Sequence, residues 1–307
     1  MSASRQVRFI LADVFTDRPF AGNPLAIVPD GSGLTTEEMQ AIAREMNLSE
    51  TTFVLPADEP SAAFGLRIFT PVAELPLAGH PVVGTCFILA RRGQLKLNEG
   101  TNRIFQQCGV GVLPVDIHVR EGRVARVYMT QARPEFLKST TSRAFLAAAV
   151  GLEEDRLLPD GLPAQVVSTA LPQLIVPAQG LKDLEEIHID PAALSKVFET
   201  LDTQCFMIFT RQTVHPNNTV HARMFAPTLG IPEDPASGSA SGALGAYLVR
   251  HGVMEARPTT HLIVEQGYEM GRPSTIYVEV DEGADGSPGG VRVGGQAVEV
   301  AEGILKF

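Results

Sequence analysis

Glu50, His80, Asp234 and Ser239 are the side chains whose types and neighbours suit proton transfer on a small acid. Glu50 stands between a helical pattern ending near Asn47-Leu48 and the strand-like run TTFVLP. A carboxylate there serves a general acid-base step or simply caps a turn, and local sequence leaves both open. His80 follows Gly79 in PLAGHP, and Ser239 follows Gly238 in PASGSA, each at the start of a helical pattern. The leading amides of a helix lack internal partners and its dipole favours an anion there. Gly79 and Gly238 would let a substrate carboxylate approach the backbone, and His80 and Ser239 would add side-chain hydrogen bonds. Taken alone, each turn reads equally well as a tight Gly-marked start to a helix. Asp234 precedes Pro235 and lies five residues before Ser239, so a turn or cap role competes with a catalytic one. Glu74 and Glu233 precede the two Gly turns at similar distances and could be hinge or loop carboxylates.

The remaining reactive side chains point less clearly to chemistry. His215 and His221 are six residues apart across an expected turn, and a metal-dependent enzyme would need them to converge with a carboxylate. Cys86 and Cys205 fall in apolar runs and read as core thiols, and no pair among the three cysteines has metal-ligand spacing. GSASGALG lacks the Lys of a phosphate-binding loop and the order of a dinucleotide fingerprint. No cofactor and no metal are therefore expected.

These residues need elements to position them. Residues 7–15 read as a buried strand, followed by a turn through 18–24 and a second strand at 25–28. Thr35 and Glu38 form a capping box for a helix whose Met39, Ile42, Ala43 and Met46 face a core. A second helix follows His80, with Pro81 tolerated in its first turn and Arg91-Arg92-Gly93 closing it. Its small residues Gly84 and Thr85 suggest close packing on strands. The arrangement then returns. Arg67-Ile68-Phe69-Thr70-Pro71 has a partner in Arg223-Met224-Phe225-Ala226-Pro227, and Pro76–His80 has one in Pro235–Ser239. TTFVLPA at 51–57 loosely matches PQLIVPA at 172–178. Repeats of this length are domains, not solenoid units. The second half is expected to carry strands around 166–176, 204–210, 219–225, 261–265 and 275–281. Its helix runs from Gly238 to Arg250, and an exposed turn spans 281–290.

At 307 residues, with 44% hydrophobic and 20% charged residues, the chain suits two cores. A net charge of -10 disfavours nucleic acid and anionic membranes as partners. Three cysteines, an odd count, suit a reducing compartment. Asp13 interrupts the short apolar run near the start, which reads against a signal peptide or membrane span. A cytoplasmic protein is expected.

The passages DVFTDRPFAGNPLAIV, MNLSETTFV, LRIFTPVAELPLAGHPVVGT and EDPASGSASGALGAYL resemble the phenazine-biosynthesis PhzF-like family, within the diaminopimelate-epimerase-like fold. That resemblance implies an α+β protein of two pseudo-symmetric domains, each a barrel-like sheet around a central helix, with the active site in the interdomain cleft. The domains would be 1–127, completed by 298–307, and 128–297. It further implies a cofactor-independent isomerase acting on a small carboxylate substrate, a homodimer, and a match to trans-2,3-dihydro-3-hydroxyanthranilate isomerase. The acidic residue of the family's NLSE segment falls on Glu50, its histidine on His80, and its Asp and Ser on Asp234 and Ser239. Its substrate-holding glycines fall on Gly79 and Gly238. An epimerase or racemase of a small amino acid, with Glu50 and Asp234 on opposite faces of one stereocentre, is the first alternative. A non-enzymatic small-molecule-binding homodimer is the second.

Overall fold

A computed structural model describes residues 5–284 and 286–307. Met1–Ser4, at the start of the segment read against a signal peptide, and Asp285, inside the expected 281–290 turn, lie outside the described residues. The chain divides into two compact units. The first holds residues up to Thr130 together with Gly294–Phe307, and the second holds Gln131–Val293. These limits sit a few residues from 127/128 and 297/298. Strand pairing carries the chain on to Thr130, and Gly294 packs so tightly on Val127 and Tyr128 that a Cβ would lie 2.3 Å from the Val127 carbonyl oxygen.

The first unit runs β1 (Gln6–Val14), β2 (Asn23–Val28), α1 (Thr36–Met46), β3 (Glu50–Leu55), β4 (Phe64–Phe69) and β5 (Glu74–Leu75). It continues with α2 (Gly79–Arg91), β6 (Gly100–Cys108), β7 (Gly111–Arg120) and β8 (Arg123–Thr130). β1 pairs antiparallel with β2, β2 runs parallel to β3 across α1, and β3 returns antiparallel to β4. β4 is parallel to β6 across α2, and β6, β7 and β8 form a meander. The last strand, Ala297–Lys306, pairs antiparallel with β1. Both halves of the Thr35–Glu38 capping box form, and Asn47 closes α1 in the left-handed conformation at φ 49°. Met39, Ile42 and Ala43 pack with Val28, Phe53 and Phe69, with Met46 at the edge of that cluster. Every residue of α2 from His80 to Ala90 is buried. A helix apolar all round must be enclosed, and α2 packs against β1, β2, β3, β7, β8 and the last strand. Gly84 makes that possible, because a Cβ there would lie 2.5 Å from Val14 Cγ2 and 2.8 Å from Leu25 Cδ2.

The second unit runs β9 (Glu135–Thr140), α3 (Arg143–Val150), β10 (Ala164–Ser168), β11 (Pro172–Pro177), α4 (Leu181–Glu185), α5 (Pro191–Leu201) and β12 (Phe206–Thr210). Then come β13 (Val220–Ala226), β14 (Ile231–Asp234), α6 (Gly238–Arg250), β15 (Thr259–Gln266), β16 (Ser274–Glu282) and β17 (Pro288–Gly295). The succession of pairings is the one seen in the first unit: β10 antiparallel to β11, β11 parallel to β12, β12 antiparallel to β13 and β13 parallel to β15. β9 pairs with β10 as the last strand pairs with β1. α6 is almost wholly buried, against β10, β11, β15 and β16. Among the described residues no helix is long and apolar enough to cross a membrane.

Three expectations need correction. The run 166–176 is not one strand but the β10–β11 hairpin, because Ala170 turns the chain at φ 141°. By pairing order, TTFVLPA corresponds to β12 and not to 172–178, which takes the place of β2. The 281–290 turn is shorter than expected. β16 continues to Glu282, β17 begins at Pro288, and Arg292 ties Glu279 and Asp281 at 2.6–2.8 Å.

Candidate active site

In the first unit, the left-handed cap at Asn47 turns the chain so that Glu50 opens β3, in register with Leu25 of β2. Gly79 and His80 are the first two residues of α2, and Ala78 before them supplies no side-chain cap. Glu50 Oε2 and His80 Nε2 face one another at 3.2 Å, with the two side chains 12% and 8% exposed. Burial pushes His80 down to about 3, so its imidazole is uncharged at neutral pH. A carboxylate beside a neutral imidazole at the head of a helix can pass a proton and hold an anion.

In the second unit, Asp234 ends β14, and Gly238 and Ser239 are the first two residues of α6. Ser237 occupies the N-cap position but does not cap the helix; its hydroxyl donates to the Asp234 carboxylate. Gln266 Nε2 donates to the Asp234 carbonyl oxygen at 2.6 Å and to Ser237 Oγ at 3.3 Å, and its Oε1 accepts from the Ser237 amide at 3.1 Å. Gln131 Nε2 donates to the Gly238 carbonyl oxygen at 3.0 Å. Each unit thus holds one half of the expected set: Glu50, Gly79 and His80 in the first, Asp234, Gly238 and Ser239 in the second.

The other carboxylates in question are structural. Glu74 takes Arg67 through two bonds of 2.6–2.7 Å, and Glu233 takes Arg223 through two of 2.8–2.9 Å. Each arginine also lies over the phenylalanine two residues on, Phe69 at 5.1 Å and Phe225 at 5.0 Å. The repeated Arg-x-Phe motif is therefore a clamp on the turn before each buried helix. His215 and His221 do not form a metal site. Both ring nitrogens of His221 are engaged at 2.8 Å by Glu265 and Glu269, while the His215 amide donates to Glu265. Burial opposes charge on His221, but the two carboxylates prevail and raise it to about 9. Burial pushes the Cys86 thiol up to about 12 and Cys205 up to about 11, as inert core thiols require.

Sequence reasoning passed over Ser237 and Gln266. Ser237 had a signal, a hydroxyl three residues after an Asp and just before a helix-starting Gly. Gln266 had none, being 29 residues beyond Ser237 and brought to it only by β13–β15 pairing.

A mixed α/β protein with few helices and such acid-base groups at helix starts is the framework of a proton-moving enzyme. The chain belongs to the phenazine biosynthesis-like protein family, whose model matches residues 12–303. It is 35% identical over 296 residues to a trans-2,3-dihydro-3-hydroxyanthranilate isomerase of Pseudomonas aeruginosa, covering 96% of this chain and 98% of that one. An uncharacterized isomerase of Mesorhizobium japonicum is 36% identical over 97% of this chain and 98% of its own. A crystal structure of a Bacillus anthracis phenazine biosynthesis protein of the PhzF family superposes with a TM-score of 0.89 at 32% identity, covering 98% and 99% of the two chains. The protein is an isomerase of this family.

Proposed function

We propose that the chain isomerises trans-2,3-dihydro-3-hydroxyanthranilate, or a close conjugated acid, by moving one proton without a cofactor. The observation that carries the reading is the nearly buried Glu50–His80 contact of 3.2 Å at the head of α2. Glu50 takes the proton from the hydroxyl-bearing carbon. The electron pair shifts through the ring diene, and the proton returns at the carbon that bears the carboxylate. The enol left behind tautomerises to a ketone, so atoms and electrons balance with no oxidant or reductant. His80, uncharged, relays or orients that proton, and Asp234 tunes charge on the amino and hydroxyl side. Gly79, Gly238 and Ser239 hold the carboxylate through helix-start amides and a hydroxyl.

In this reading the two domains are pseudo-symmetric, which the matching succession of strand pairings supports, and they share one substrate. The working form is a cytoplasmic homodimer. The test is turnover of trans-2,3-dihydro-3-hydroxyanthranilate in D2O followed by NMR. Wild type should form product and exchange deuterium at carbon, and Glu50→Gln should do neither. Glu50→Gln with undiminished turnover would remove Glu50 as the base.

A further inference from the structure

We propose that Gln266 is a positioning residue that aims the Asp234 carboxylate through Ser237; this rests on the role given to Asp234 above. Gln266 is fully buried at the last position of β15. A hydroxyl has one proton to give and lone pairs to receive. The Ser237 hydroxyl receives an N–H from Gln266 at 3.3 Å, so its own proton goes to the Asp234 carboxylate. The same carboxamide nitrogen donates to the Asp234 carbonyl oxygen at 2.6 Å, and its oxygen accepts the Ser237 amide at 3.1 Å. Backbone and side chain of Asp234 are thereby fixed by one residue. The anchor itself is rigid. Gly267 follows at φ 80°, where a Cβ would lie 2.5 Å from the Pro235 carbonyl oxygen, and Ser274 donates to that oxygen at 2.9 Å. A glutamate at 266 would offer two acceptors where the site needs a donor.

A brace needed only by the fold would recur in the unit with the same pairings. With Arg67 matched to Arg223, Phe64 falls on Val220. Their partners Gln106 and Val264 then match, which puts Cys108 opposite Gln266. The match one residue earlier confirms this alignment. Gln107 accepts the Asp58 and Glu59 amides at 2.8 and 3.2 Å, as Glu265 accepts those of Val214 and His215 at 2.5 and 3.1 Å. Among the described residues the Cys108 side chain bonds within its own hairpin, to the Gly111 carbonyl oxygen at 3.6 Å. The carboxamide brace belongs to the unit that carries Asp234 and is absent at the matching position of the unit that carries Glu50.

The experiment measures kcat and KM on trans-2,3-dihydro-3-hydroxyanthranilate for wild type, Asp234→Asn, Ser237→Ala, Ser237→Thr, Gln266→Leu and the Ser237→Ala/Gln266→Leu double variant, with thermal melting of each. Asp234→Asn should lower kcat about a hundredfold or more. Ser237→Ala and Gln266→Leu should each lower kcat about tenfold with KM within about twofold, the loss expected of one hydrogen bond. The double variant should fall no more than about twofold below the worse single, because both act through one carboxylate. Ser237→Thr should retain turnover. Wild-type kcat in Gln266→Leu, or two losses that multiply in the double variant, overturns the proposal. Should Gln266→Leu fail to fold, Ser237→Ala decides alone, and wild-type kcat there overturns it. Full activity in Asp234→Asn instead defeats the functional reading of Asp234, and the positioning role with it.

Discussion

His80 and His221 are both buried histidines, and their surroundings drive them in opposite directions. His80 has desolvation as its governing influence and falls to about 3, whereas His221 is gripped by Glu265 and Glu269 and rises to about 9. A histidine titration followed by NMR should therefore show His80 uncharged from pH 8 down to about 4, and His221 losing its proton only near 9. A His80 midpoint near the ordinary 6.5 would contradict the desolvated site. The stability consequence of His221 has a definite sign. Its contribution is fully present below about 6.5, the unfolded value, and is lost as pH rises through about 9. Wild type should lose melting temperature between pH 6.5 and 9.5, and His221→Gln should show a flatter profile there. The sequence exposed the types of these residues but not their burial. The six-residue spacing of His215 and His221, with no carboxylate pair beside it in the sequence, read against a metal site but did not reveal the partners of His221, which lie more than 40 positions away.

At the scale of elements, the two Arg–Glu clamps share a geometry and differ in exposure. Arg67 and Glu74 are 28% and 38% exposed, against 9% and 18% for Arg223 and Glu233. Solvent screening should hold the first clamp to about 1 kcal/mol or less. Breaking the second leaves a buried guanidinium that also donates to the Leu184 carbonyl oxygen, at a cost of about 3 kcal/mol. Urea denaturation of Glu74→Gln and Glu233→Gln should resolve that difference, and equal losses would contradict it. Here the sequence was most informative. α1 with its capping box, the start of α2 at Gly79 and the span of α6 all follow from caps, glycines and apolar spacing, which act within a few residues. The reading failed where two strands join through an Ala at positive φ, since no Gly or Asn marks the β10–β11 turn at residue 170. It failed again in matching 51–57 to 172–178, because parallel partners are chosen by register across a helix and not by local likeness.

Across the whole chain, the first and last strands depend on one another. Gln6–Val14 pairs with Ala297–Lys306, and Arg92 at the end of α2 ties that last strand through Glu299 and, at 2.9 Å, Glu302. Ending the chain before Ala297 should strip amide protection from β1 in hydrogen exchange and abolish turnover; retained protection would contradict this dependence. The repeat of the Arg-x-Phe and Gly-turn motifs was legible because side chains recur with it. The matching places of β9 beside β10 and of the last strand beside β1 were not legible, since those two strands carry no shared motif. The central claim, that Glu50 carries the proton, is tested most directly by single-turnover NMR in D2O with trans-2,3-dihydro-3-hydroxyanthranilate, comparing wild type with Glu50→Gln. The account predicts for wild type the substrate's own proton at the carbon bearing the carboxylate and deuterium at the carbon beside the new ketone, and a loss of about a thousandfold or more in Glu50→Gln with an unchanged melting temperature. Product formation by Glu50→Gln at the wild-type rate would contradict it.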